Sequence, residues 1–505
     1  MQQSPAYTLL ALLLAGIFFS GCDFLDPTSV ENPQSTIDDL EEADDLVRVF
    51  VPGVRAQFAR ALSSTVVTTS IASDDYSIHG TGLGGTAMES PERITPATAV
   101  INSTGAAFGS YWNLQETRAL ADFVFSDILP EDPDASDGDL GEIHYYRGMA
   151  FLMQAENFSA VPVEEDGDPL PSEALYERAE EDLQETISLL GPGNEITIAA
   201  EAALARLYRG LGDGDSAASY ANAVLDEDDE FLFALEYDAQ NLVNSAQTYL
   251  VERALREMQP LPRLDFLDPK YTSRESAIPI AKAEEMHLIL AEVALAEGNE
   301  GVAKQHLIDA VDVIEDRNRI TFEEEDQRLD NNLNPRPRTS DIAIAFEPGA
   351  DFVEGLVLDR PCEEGVSCVE TPTVSGNSIT QDQIEDAANG TELTRLLYLM
   401  RQEVLFLEGR RLHDLGLRLP MMLREIEQSP VITEGDLGTQ TIIPAYIPPA
   451  DEMNLYTPVD IYEEQEDEDG ETVIVTIEDE ITMLHDMNRI LAEERGLVLT
   501  NPDLP

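Results

Sequence analysis

Apolar residues recur along much of this chain at three- and four-residue spacing, the period of a helix with one buried face. The first run is Glu41 to Ser63, where Leu46, Val49, Phe50, Val54 and Phe58 fall near one face. Ser64 to Pro96, rich in Gly, Ser and Thr, reads as loop. Periodicity returns from Phe108 to Leu129, and again from Glu142 to Phe158 beyond the polar stretch Pro130 to Gly141. Ser172 to Leu190 supplies one more helix.

Two later segments align with one another. "LARLYRGLGDGDSAASYANAVL" begins at Leu204 and "LAEVALAEGNEGVAKQHLIDAV" at Leu290, a spacing of 86 residues. Each predicts a helix, a Gly-Asp or Gly-Asn stop and a second helix. Ala200, Ala203, Leu204, Leu207, Tyr208 and Leu211 form one apolar face, which Ala217, Ala221, Val224 and Leu225 continue. Small residues let paired helices approach, and Gly ends the first helix. The unit is tetratricopeptide-like. A contiguous array repeats every ~34 residues, so the spacing here means that other structure interrupts the repeats.

From Ile320 to Glu385 the period fades into loop chemistry ("NNLNPRPRTS", "TPTVSGNSIT"). A long helix is expected from about Thr391 to Leu417. Asp469-Gly470 before the β-branched run Thr472 to Thr476 predicts a hairpin. The pattern as a whole predicts a mostly α fold: interrupted tetratricopeptide-like repeats over about 41–317, packed against a loop-rich part over about 318–505 with a few short β-hairpins.

The N-terminus sets the compartment. Leu9 to Phe19 is almost wholly apolar but too short for a ~30 Å bilayer, which is the form of a signal-peptide core. It ends in Ser20-Gly21-Cys22, which resembles a bacterial lipobox, although no Lys or Arg precedes it. The expectation is removal of residues 1–21 and acylation of Cys22; an ordinary secretory signal is the alternative. Asp23 and Asp26, directly behind, resemble the surface-export signal of some Gram-negative lipoproteins. No later run of 18 or more apolar residues follows.

Composition narrows the function. The 505 residues carry 99 acids against 30 bases, a formal charge of −69. Phosphate recognition needs Lys/Arg patches, so nucleic acid is excluded as a partner. Dispersed acids on a well-patterned chain point to a high-salt habitat, where salt screens self-repulsion. They also make carboxylate pairs uninformative as a glycosidase signal. Cys362 and Cys368 flank "EEGVS" in an exported chain and are expected to close a small disulfide, a metal site being the alternative. Zinc spacings, HExxH, a Walker loop and a nucleophile elbow do not occur in the sequence, so neither an enzyme nor a cofactor is expected. Gly214-Asp215-Ser216 looks hydrolase-like but sits at a helix start, where Asp and Ser cap.

Several segments, in order, carry a family resemblance: "CDFLD" at Cys22, "YWNLQETRALADFVFSDI" (Tyr111 to Ile128), "YYRGMAFLMQAENFSAVPV" (Tyr145 to Val163), "IPIAKAEEMHLILAEVALAEGN" (Ile278 to Asn299), "RQEVLFLEGRRLHDLGLR" (Arg401 to Arg418) and "IPPADEMNLY" (Ile447 to Tyr456). Together they resemble the SusD/RagB family of surface nutrient-binding lipoproteins. The resemblance implies a lipid-anchored outer-membrane protein that binds an oligosaccharide or other nutrient, a peptide remaining open, and hands it to a SusC-like TonB-dependent transporter. It places ligand contacts in the loop after the first helix, here Asp74, Asp75, Tyr76 and His79, with Tyr271 a further candidate. The signature Arg401, Glu403, Glu408, Arg411 and Asp414 reads as a structural clamp. On one helix Glu408–Arg411 and Arg411–Asp414 are i,i+3 neighbours, with Leu405, Leu412 and Leu415 buried alongside. The competing reading is a repeat scaffold for other envelope proteins.

Overall fold

A computed structural model describes residues 45–78, 88, 90–251, 258–268, 270–323, 343–353, 361–363 and 366–449, and, in short stretches, 453, 456–457, 462–466, 470, 472–476 and 480–495. Cys22, His79 and the proposed signal peptide lie outside the described residues. Among those described, no helix is long and apolar enough to cross a membrane.

Helix α1 (Leu46–Ala72) runs well past the expected end at Ser63. Its Ser- and Thr-rich last turns are buried on every side. The hydroxyls that weaken a helix in water are satisfied here: Thr69 Oγ1 donates to Thr65 O (2.8 Å), Ser64 Oγ to Ala61 O (3.1 Å), and Thr65 meets Ser110 at 2.8 Å. Burial therefore overrides local propensity. Strand β1 (Tyr76–Ile78) follows, then α2 (Ser110–Phe123), which runs through a wider turn at Val124–Ile128. Helix α3 (Asp137–Asn157) starts earlier than expected, at Ser136, whose side chain accepts from Asp139 N. Strands β2 (Ala160–Pro162) and β3 (Pro169–Pro171) pair antiparallel before α4 (Ser172–Leu190).

The repeat pair is present as read. Helix α5 (Glu195–Leu211) stops at Gly212 (φ 75°) and α6 (Gly214–Glu227) returns, with Asp213 as its cap. The chain then leaves the array through β4 (Leu232–Leu235), β5 (Met258–Pro260) and β6 (Ile278–Lys282); β4 pairs with β6, and β5 with β1. Helices α7 (Ala283–Ala296) and α8 (Glu300–Asp316) form the second unit, with Gly298 left-handed at φ 74° between them. The 55 residues between Glu227 and Ala283 are the interruption. Without them the 86-residue spacing shrinks to 31, close to the ~34 residues of one repeat. Helices α6 and α7 pack directly, so the array is continuous in space.

The remainder is short strands and helices: β7 (Arg319–Glu323), β8 (Ala343–Ala345), β9 (Pro361–Glu363), β10 (Val366–Pro372), α9 (Gln381–Asp386), α10 (Gly390–Val404), α11 (Arg411–Asp414), α12 (Leu423–Gln428), β11 (Tyr456–Thr457), β12 (Tyr462–Glu466), β13 (Thr472–Thr476), β14 (Glu480–Met483) and α13 (Met487–Arg495). Strands β12 and β13 form the expected hairpin. Strands β9 and β10 are antiparallel neighbours carrying Cys362 and Cys368, whose side chains lie outside the description. The small sheets run β7-β10-β9 and β11-β14-β8. Helix α10 packs on α7 and α8 through a core of its own, with Leu393, Leu397 and Met400 against Leu288, Leu295 and Leu307. The fold is mostly α, a tetratricopeptide-like array against a loop-rich half.

The single helix expected from Thr391 to Leu417 is broken. Helix α10 ends at Val404, and Leu407 (φ 57°) and Gly409 (φ 76°) turn the chain through the left-handed region before α11.

Candidate functional site

That break organises the clamp. A helix end leaves its last carbonyls without partners. Here Lys282 Nζ donates to Val404 O (2.7 Å), Lys270 Nζ to Phe406 O (2.8 Å) and the Tyr271 hydroxyl to Leu407 O (2.7 Å). Both ammoniums also pair with Glu408, at 2.5 and 2.7 Å. Burial lowers the Lys270 amine to about 8.

The signature residues therefore act through the fold rather than along one helix. Glu408 does not neighbour Arg411 as i,i+3; it holds the two lysines. Arg411 forks onto Asp74 (2.5 and 2.6 Å) and reaches Asn488 (2.9 Å). Arg401 forks onto Asp414 (2.9 and 3.0 Å), which also forms an ion pair with Arg209 of α5 (2.9 Å). Glu403 accepts from the Ser378 amide (2.6 Å) and hydroxyl (2.7 Å). All five side chains are buried, as are Leu405, Leu412 and Leu415. Burial tends to raise Asp414, but Arg401 and Arg209 outweigh it and hold the carboxyl well below its ordinary range. Burial raises Glu403 to about 7.

The predicted ligand loop is part of the same core, which corrects the sequence reading. Asp74, Asp75, Tyr76 and Tyr271 are at most 2% exposed. Asp74 holds Arg411. Asp75 accepts from Gln402 Nε2 (3.0 Å), and burial, followed by the Asp74 charge, raises it to about 7. Tyr76 stacks on Phe406 at 5.9 Å, and Tyr271 caps Leu407. Side chains buried among protein partners cannot stack on a sugar. Their apparent loop is a sharp turn driven under the clamp by the Asp74–Arg411 pair.

An open cleft of about 720 Å³ lies on the other side of Ser378 and α10. Phe346, leaving the end of β8, and Phe266 supply its aromatic surface. Arg395 from α10 lies against the Phe346 ring, 5.5 Å from its centre. Asn377, Ser378, Thr380, Gln383, Glu347 and Asp351 add amides, hydroxyls and carboxylates. The cleft's guanidiniums are already matched: Arg395 donates to Asp486 (2.9 and 3.0 Å), and Arg489 pairs with Glu347. Dispersed loops and one helix face build the cleft. In sequence its residues are scattered over loop segments, the helix from Thr391 and the C-terminal region, so no local signal joins them.

A second cleft, of about 480 Å³, lies between α2, α3 and α4. It is ionic: Asp182 accepts from Arg147 (2.7 and 2.8 Å) and meets His144 at 2.7 Å, and Asp122 bridges Arg147 and Arg118. These groups satisfy one another and present little apolar surface. Of the two clefts, the Phe346 cleft is the better ligand site, since binding pockets combine apolar walls with a few oriented polar groups.

No protein-family model and no curated protein matches the chain. Solved structures do. A SusD-like carbohydrate-binding protein from Bacteroides vulgatus is 12% identical, with 73% of this chain and 83% of that one covered at a TM-score of 0.45. A laminarin-binding SusD-like protein is 14% identical, with 73% and 90% covered and a TM-score of 0.45. A SusD superfamily protein from Parabacteroides distasonis is 11% identical, with 72% and 87% covered and a TM-score of 0.47. The chain is thus similar, over nearly three quarters of its length, to solved SusD-like proteins.

Proposed function

We propose that this chain is a non-enzymatic binding protein of the SusD/RagB type. It holds a neutral oligosaccharide in the Phe346 cleft and passes it to a TonB-dependent β-barrel transporter of the outer membrane, where Cys22 anchors it by lipid. The charge balance of the cleft carries the ligand class. Aromatic faces suit the C–H faces of sugar rings, and amides and carboxylates suit hydroxyls, while the two guanidiniums among the described lining residues both lie against carboxylates. The −69 charge of the chain repels anions further. The cleft's 720 Å³ lies within the ~300–1,000 Å³ of small-ligand sites. The ordered sequence motifs support the family, and with it the transporter and the anchor.

Calorimetry on the detergent-solubilised chain should show binding of a neutral oligoglucoside and none of a uronic-acid oligomer or an acidic peptide. Phe346→Ala should weaken the glucoside at least tenfold. Binding of peptide but not glycan would overturn the ligand class. Extraction of native membranes in mild detergent should bring down a larger barrel protein, docked against the repeat half, whose helix pairs offer extended surface. If the chain extracts alone and binds no glycan, the scaffold reading prevails. A fatty-acid probe should label the wild type and not Cys22→Ala.

A further inference from the structure

We propose that His287, His306 and Asp309 form a binding site for a zinc-class divalent transition ion, apart from the glycan cleft. His306 and Asp309 are i,i+3 neighbours on α8 and so share a face. His287 stands on α7, the antiparallel partner of α8 within the same repeat. One ligand atom from each of the three lies within 4.8 Å of the others.

The spacing of the imidazoles is compatible with a shared ion. The Nδ1 atoms are 3.4 Å apart. Zinc–nitrogen bonds of ~2.0–2.1 Å at a tetrahedral angle set two nitrogens ~3.3–3.4 Å apart. The carboxylate is prepared as well: Gln305 Nε2 donates to Asp309 Oδ1 at 2.7 Å, which fixes the group and leaves its other oxygen for an ion. Two imidazoles with one carboxylate select Zn²⁺, Co²⁺ or Ni²⁺ over Ca²⁺ and Mg²⁺, which prefer all-oxygen sites. His306 and Asp309 are half-buried beside His287. An ion held there would clip α7 to α8, the helix pair on which α10 packs.

Chelator-stripped full-length chain titrated with cobalt chloride should develop the visible bands of tetrahedral cobalt at one equivalent, and zinc sulfate should bleach them while calcium chloride does not. His306→Ala should abolish the bands, and Asp309→Asn should weaken cobalt at least tenfold. Zinc should raise the melting temperature of the wild type but not of His306→Ala, with circular dichroism confirming that each variant folds. The wild type is decisive even where a variant fails to fold: no cobalt bands from the unaltered protein would overturn the proposal. Zinc binding of equal strength in a His287→Ala, His306→Ala double variant would assign the metal to surface carboxylates and overturn it too.

Discussion

Asp414 pairs with two guanidiniums that come from different parts of the chain, Arg401 on α10 and Arg209 on α5. Removing its charge leaves Arg401 buried without its paired carboxylate, while Arg209 keeps Glu292 at 2.5 Å. Asp414→Asn should therefore cost about 3–5 kcal/mol, read as a fall in the urea midpoint. Two sets of buried carboxyls give the pH profile its shape. Glu285 is held at about 2, because Arg410 and its neighbours outweigh burial, and Asp414, Glu284 and Glu292 are lowered as well. Their contribution is present above the ordinary carboxyl range and is lost as pH falls through the folded values. Glu403 and Asp75, raised to about 7, act oppositely: the folded state holds their protons more tightly, so their contribution is lost as pH rises from the ordinary range to about 7. Glu403→Gln should remove one such loss. The stability difference between wild type and variant should drift by on the order of 3 kcal/mol between pH 4.5 and 7.5, in the variant's favour at the higher pH. A pH-independent difference in paired urea melts would contradict the assignment.

Among the elements, the turn between α10 and α11 matters most. Gly409 adopts φ 76° in a place with room for a methyl group, the nearest atom being Thr69 Oγ1 at 3.7 Å. Gly409→Ala should then cost only the backbone strain of the left-handed region, about 1–2 kcal/mol by urea melt. Tyr271→Phe removes a hydroxyl cap and leaves the Leu407 carbonyl buried without its donor. It should cost about 1–3 kcal/mol and leave glycan affinity unchanged. An affinity loss with unchanged stability would restore Tyr271 as a ligand contact. The turn was hard to read in sequence because Leu405 to Leu412 contains good helix formers around a single Gly. What ends α10 is the set of donors supplied by Lys270, Tyr271 and Lys282, more than a hundred residues earlier.

Over the whole molecule, the acids and bases are sorted. Only three of the 30 bases are lysines. All three ammoniums donate to carbonyls at or just past a helix C-terminus: Lys282 and Lys270 after α10, and Lys304 at Glu385 and Ala387 after α9. Lys270 and Lys282 are buried, as are Arg206, Arg209, Arg263, Arg401, Arg410, Arg411 and Arg418. Among the described residues fourteen Asp and Glu are buried beside nine Lys and Arg, so most of the −69 charge stays on the surface. Salt shortens the screening length from ~10 Å at 0.1 M to ~3 Å at 1 M, so the melting temperature should rise over that interval. A flat response would mean that the surface acids do not govern stability. Buried pairs are screened far less, and the penalty of Asp414→Asn should be the same at both salt concentrations.

Periodicity, stop residues and composition were enough to establish the helices of the repeat, the Gly212 and Gly298 turns and the Asp469-Gly470 hairpin. Each rests on forces acting within a few residues, or on a charge total that folding does not change. Three outcomes depended on distant partners. Ser64 to Ala72 became helix because its hydroxyls found buried acceptors. Asp74 to Tyr76 passed from loop surface to core because Arg411, 337 residues further on, required a counter-ion. The Phe346 cleft and the His287–His306 pair arise where separate segments meet. A one-dimensional pattern records which residues prefer burial, but not which charges will meet once the helices pack.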